Sequence, residues 1–272
     1  MNYLNLALVC AALCASGALK AEEQTQWHYS LGIHDFIVED SHTPGGNASL
    51  LIEHRTQTDI LLTAAIDIYF DIDTDKLDPD HIPVWFKSDY AASGEIYRVN
   101  SDFSLGWQLD LQGKRNTVSS VEKQVKLFPE LTANFDGQQL QAQLKAGAGY
   151  YYLEIDDDVP KTRGYDRSDF GNSEFAYTLM GQLGIDATAE LHMQVAAQTW
   201  QDDDQWLERQ YRFEMSYQTD FWYPSSELVL SAEHTQYNLE HYAKVDVNSA
   251  DYLPILPWDS DTLVRLSLVI PW

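Results

Sequence analysis

Between residues 97 and 111 apolar and polar side chains alternate almost without a break. Tyr97, Val99, Ser101, Phe103, Leu105, Trp107, Leu109 and Leu111 fall on one parity. Arg98, Asn100, Asp102, Ser104, Gly106, Gln108 and Asp110 fall on the other. A period of two belongs to a strand, because a helix would scatter both sets around its circumference. The same separation recurs along the chain. Val125, Leu127, Pro129, Leu131, Ala133 and Phe135 oppose Gln124, Lys126, Glu130, Thr132 and Asn134. Tyr211, Phe213, Met215 and Tyr217 oppose Glu208, Gln210, Arg212, Glu214, Ser216 and Gln218. Further runs of this kind start at Ile60 and Leu140. The weakest pattern lies between Ile82 and Gly94, and the segment Ala48–Arg55 reads as a short strand.

The runs are longer than the ~5–6 residues usual in globular sheets, and they match the ~9–11 of a tilted membrane strand. Their apolar faces carry almost no charge at central positions, and aromatic residues gather where those faces end, as at Trp27, Tyr29, Tyr150 and Tyr152. Rings of that kind favour a headgroup layer that is apolar on one side and wet on the other. Connections differ in length. Tight ones are expected at Thr56–Asp59, Asp136–Gln138, Asp186–Ala189 and Phe221–Ser226, and long acidic ones at Asp71–Ile82, Asp156–Asn172 and Leu239–Asp259. The pattern predicts an all-β chain forming one closed antiparallel transmembrane barrel of about twelve strands, with ten or fourteen also compatible.

Composition narrows this reading. The stretch Met1–Ala21 has an apolar core from Leu6 to Leu13 followed by small residues. It reads as a signal peptide with cleavage near Ala18 or Ala21, leaving 22–272 as the barrel. No Lys or Arg precedes that core, which departs from the usual leader. Both cysteines, Cys10 and Cys14, fall inside it, so the mature chain has no thiol for a disulfide or a metal. With 17 Lys+Arg against 42 Asp+Glu the net charge is −25, which excludes nucleic acid as a partner. Solvated acidic loops at a cell surface account for the balance.

The chain ends on an alternating column, Thr262, Val264, Leu266, Leu268, Ile270 and Trp272, whose last member is aromatic. In this strand it resembles Gram-negative outer-membrane β-barrel proteins. The resemblance implies an outer-membrane location and contact with its lipids and lipopolysaccharide. It also implies that Trp272, Ile270, Leu268 and Leu266 form the signal read by the barrel-assembly machinery. Pro271 departs from the pattern by removing a ladder donor.

With lipid outside, polar parity points into the lumen. The expected inward column holds Arg98, Asp102, Lys126, Lys145, Glu208, Arg212, Glu214, Glu233 and Arg265. Arg212, Glu233 and Arg265 should lie at similar heights on consecutive strands. A mixed-sign column suits a polar constriction, and it suits equally a salt-bridged plug. The first reading makes the protein a narrow, porin-like passive channel for small polar or cationic solutes. The alternative is a structural or adhesive barrel with a plugged lumen, and a hydrolase acting on lipid or surface peptides ranks below both. The eight histidines include no His-x-Ser stretch, and Glu233-His234-Thr235 puts His234 on the lipid-facing parity and Thr235 inside. Asp71, Asp73, Asp75, Asp78 and Asp80 approach calcium-loop spacing, but Lys76 stands where the loop needs Gly and Ile82 where it needs an acid. Loosely held divalent cations at surface carboxylates are the most this stretch implies. No metal centre and no cofactor are expected.

Overall fold

The computed structural model describes residues 24–38, 41–72, 84–115, 121–155, 171–220, 223–238 and 259–272. Twelve strands run through them: β1 (Gln24–Val38), β2 (Ser41–Arg55), β3 (Leu61–Asp71), β4 (Val84–Arg98), β5 (Phe103–Arg115), β6 (Val121–Asp136), β7 (Leu140–Ile155), β8 (Gly171–Asp186), β9 (Leu191–Gln201), β10 (Trp206–Thr219), β11 (Ser226–Tyr237) and β12 (Ser260–Pro271). Each pairs antiparallel with its neighbour in sequence, and β12 pairs back onto β1, from His28↔Pro271 to Ile37↔Thr262. The barrel is therefore closed and leaves no edge strand to template aggregation. The leader assigned to residues 1–21 lies outside the described residues.

Two readings of the sequence change. β2 is a full strand that starts at Ser41, because Thr43, Gly45 and Asn47 pair with Phe36, His34 and Gly32 of β1. Its inner residues are small and polar, so little hydrophobic alternation marks them. The run 97–111 is two strands. A turn at Val99–Asp102 divides it, with Asn100 Oδ1 accepting from the backbone N–H of Asp102 (2.9 Å) and of Phe103 (2.8 Å). Asparagine commonly closes a turn this way, and here that local geometry overrides parity. A bulge between Glu95 and Tyr97 shifts the phase of β4, so that Tyr97 rather than Ile96 pairs with Leu105.

Register fixes the two faces. Leu31, Ile33, Leu131, Leu144, Phe175 and Leu179 point outward and are more than half exposed. So wide an exposed apolar surface is costly in water and is what hydrocarbon contact requires. The inside is polar but not empty. Two apolar clusters line the lumen at the end opposite the start of β1 and the end of β12. One joins Phe36, Tyr69, Trp85 and Leu263; the other joins Val121, Phe128, Tyr151, Leu153, Ala176, Trp200, Leu207 and Tyr237. The start of β1 and the end of β12 lie at the opposite, terminal end, with the tight turns at 56–60, 99–102, 137–139 and 187–190, where Asp59 adopts a positive φ of 64°. The segments 72–83, 156–170 and 238–259 join strands at the far end, as do the shorter connections at 39–40, 116–120 and 202–205.

Candidate functional site

Where the inward columns meet, the lumen holds two kinds of ion pair. One kind stays on the wall. Lys145 of β7 donates to Asp110 of nearby β5 (2.8 Å) and lies 3.2 Å from Glu130 of β6. The other kind crosses the lumen. Lys87 on β4 pairs with Glu233 on β11, although β3, β2, β1 and β12 separate those strands around the wall. Arg265 on β12 reaches β3, donating from Nη1 to Tyr69 Oη (2.9 Å) and lying 3.7 Å from Asp67, while its Nε donates to Ser231 Oγ (3.0 Å). These groups form a mixed-sign eyelet at mid-height.

Toward the far end the crossing is drier. Lys126 Nζ donates to Glu208 Oε1 (2.6 Å), and Gln124 Nε2 (2.6 Å) and Tyr151 Oη (2.9 Å) donate to Glu208 Oε2. The Lys126 ammonium sits 3.5 Å from the centroid of the Trp200 ring. A third crossing joins Lys114 to Asp261 (3.3 Å). Beside it Tyr69 stacks on Trp85 at 3.7 Å, and the Asp71 carboxylate accepts from Trp85 Nε1 (3.1 Å) and bonds His34 Nε2 (2.8 Å). The His34 ring has room because Gly45 faces it across β1–β2, where an added Cβ would collide with the imidazole. Buried charge persists here because hydrogen bonds surround it; unpaired, each ion would cost several kcal/mol of desolvation, on the order given for buried groups.

Toward the terminal end the lumen is wet. Asp89, two residues from Lys87 on the same inward face, is exposed although the wall encloses it, and Arg212 and Glu214 are half-buried. Asp89, Arg212 and Glu214 make no hydrogen bond or ion pair with another side chain among the described residues.

The expected column is placed as follows. Lys126, Lys145, Glu208, Arg212, Glu214, Glu233 and Arg265 face the lumen, and Arg212 is the cross-strand partner of Glu233. Arg265 lies opposite Ser231, one step from Glu233 on the same face, yet the acid's direct partner is Lys87. Arg98 pairs with Ser104 on the inward face of β4–β5 but sits at the rim, exposed and bonded to Glu95 (2.5 Å), and Asp102 lies in the turn, accepting from Ser101 Oγ (2.5 Å). Sequence reading missed Lys87, Asp67, Asp89 and Lys114 as lumen groups. Parity could have found Asp67, but Lys87 and Asp89 sit in the weakly patterned β4. Thr235 points inward and is buried, and His234 points outward with Nδ1 2.8 Å from Thr262 Oγ1, so the two share no dyad. Asp73 to Asp80 lie outside the described residues.

No family model matches the chain, and no curated relative matches it. Solved structures similar to it include a KdgM porin in complex with disordered oligogalacturonate, 13% identical over 88% of this chain and 97% of that one, with a TM-score of 0.46. A NanC porin is 11% identical over 88% and 98%, with a TM-score of 0.49. The outer membrane phospholipase A from Escherichia coli is 10% identical over 96% of each chain, with a TM-score of 0.44. At such identity a neighbour's substrate does not transfer to this chain.

Proposed function

We propose that the protein is an outer-membrane barrel that acts as a narrow passive channel for small polar solutes, cations included. The observation that carries the reading is the eyelet of Asp67, Lys87, Glu233 and Arg265. Its side chains remain 16–27% exposed inside the wall, so water reaches a constriction lined by both signs of charge. Such a ring passes small hydrophilic molecules and rejects apolar ones, and the net charge of −25 raises the cation concentration at the mouths. The apolar exterior supports the membrane placement, with export by the leader and insertion through the terminal strand as parts of the same reading. Lipid and lipopolysaccharide would then surround the wall, and divalent cations would be held loosely by the far-end carboxylates.

A second reading, a plugged structural barrel, is favoured by the Lys126–Glu208 pair, whose side chains are only 3% and 1% exposed. Planar-bilayer recording of the purified protein separates the two. The channel reading expects a small, stable unitary conductance with cations preferred, and a larger step for Lys87→Ala, which removes the crossing side chain. A bilayer that stays silent for both proteins overturns the channel and leaves the plug.

A further inference from the structure

We propose that Arg212 and Asp89 form a binding site for small zwitterions, such as a free amino acid or a dipeptide, on the terminal side of the eyelet. The proposal rests on the channel reading for its physiological meaning, but not for the existence of the site. Its geometry follows from the Lys87–Glu233 crossing, which holds β4 and β11 together across the lumen. Asp89 lies two residues from Lys87 on β4, on the inward face and toward the terminal end. Arg212 on β10 is the cross-strand partner of Glu233. The crossing therefore sets an anion on β4 and a cation on β10, each beside one end of the Lys87–Glu233 pair, on facing walls of the lumen. They do not touch, and neither has a hydrogen bond or ion pair with another side chain among the described residues.

Each group has a small neighbour on one side, while on the other Gln112 of β5 pairs with Asp89 and Glu233 of β11 with Arg212. Ala65 pairs with Asp89 across β3–β4, and Ala91 is the next inward residue on β4. Ala196 of β9 is the cross-strand partner of Arg212. Every other cation of the eyelet already has an acidic or phenolic partner: Lys87 has Glu233, and Arg265 has Tyr69 and Asp67. Arg212 is thus the guanidinium with free donors, and a carboxylate is the group its planar fork matches in two parallel bonds. Asp89, acceptor-only when ionised, suits an ammonium. An anion alone would meet Asp89 and Glu214 beside Arg212, and a cation alone would meet Arg212. A molecule carrying both charges satisfies both walls, and a neutral sugar gains from neither.

Liposome swelling with the full-length barrel tests this, using glycine and glutamine as zwitterions, arabinose as the neutral solute, and lysine and glutamate as net-charged ones. Zwitterions should enter about tenfold faster than arabinose, the factor one charge-assisted hydrogen bond supplies at its low end. Arg212→Gln and Asp89→Asn should each abolish that advantage while leaving arabinose entry unchanged. Equal entry of glutamine and arabinose, unaltered by either variant, overturns the site while leaving the channel intact. If no solute enters at all, the channel reading has failed, and calorimetric titration of the folded barrel with glutamine decides the site separately. Saturable heat lost in both variants upholds it; no heat with the native protein removes it.

Discussion

At the scale of single residues, Lys126 and Glu208 show how a lumen can bury opposite charges and stay folded. The carboxylate takes hydrogen bonds from Lys126, Gln124 and Tyr151, and the ammonium rests on Trp200. Removing one partner strands the other in a dry site, which costs about 3–5 kcal/mol. Glu208→Gln and Lys126→Met should each lower the urea midpoint of the vesicle-folded barrel accordingly. The double variant should lose less than the two singles together, because the surroundings Tyr151, Trp200 and Leu207 accept apolar groups. Strictly additive losses would mean that the pair is not coupled. Glu233 offers the contrasting case, since its partner Lys87 lies 146 residues away. Parity places Glu233 inside the wall, but the weak pattern of β4 leaves Lys87 unplaced, and nothing in the sequence says which strands face one another across the lumen. That is why Arg212, Glu233 and Arg265 were legible as a group while Lys87, which completes it, was not.

At the scale of elements, a strand was readable wherever lipid and lumen demand opposite chemistry from its two faces. β6 and β10 satisfy that demand at nearly every position. In β4 the outward residues are Phe86, Ser88, Tyr90, Ala92 and Gly94, a face too weakly apolar to stand out, and the bulge shifts its phase. β12 shows the remaining limit. Its faces fall as alternation predicts, with Leu266 outward and 40% exposed and Ser267 inward and buried. An inward position is nevertheless not automatically a roomy one. Ser267 Oγ accepts from Asn47 Nδ2 (3.1 Å), and Gly32 opposite lacks the Cβ that would collide with it. Val269 is the better inward probe, since it pairs with Glu227 on β11 and Ser30 on β1. Leu266→Lys should cost about 2–4 kcal/mol and reduce the heat-modifiable folded fraction, because the charge meets hydrocarbon. Val269→Lys should fold normally beside Glu227. The reverse ranking would show the closing strand to be out of register by one residue, since such a slip exchanges its faces.

At the scale of the whole molecule, the barrel is asymmetric along its axis, and that asymmetry predicts its orientation. The terminal end has tight turns and more accessible lumen side chains, whereas the far end is narrowed by two apolar clusters and buried ion pairs. The long segments 72–83, 156–170 and 238–259 all join strands at that far end. A chain inserted from the periplasm keeps both termini and short turns on that side, and sends its long connections across the membrane. Their composition agrees with this, for Asp156, Asp157, Asp158, Lys161, Arg163, Asp166, Arg167 and Asp169 all fall within one of them, and a solvated surface holds so many charges at least cost. The mouth with Asp89 and Arg212 would then open to the periplasm and the narrower end to the medium. A protease-cleavable tag inserted after Gly164 should be nicked on intact cells. One inserted after Gly137, in the turn between β6 and β7, should survive until the outer membrane is permeabilised. Cutting only at the second site would place the termini outside, and the narrower end of the lumen would then face the periplasm.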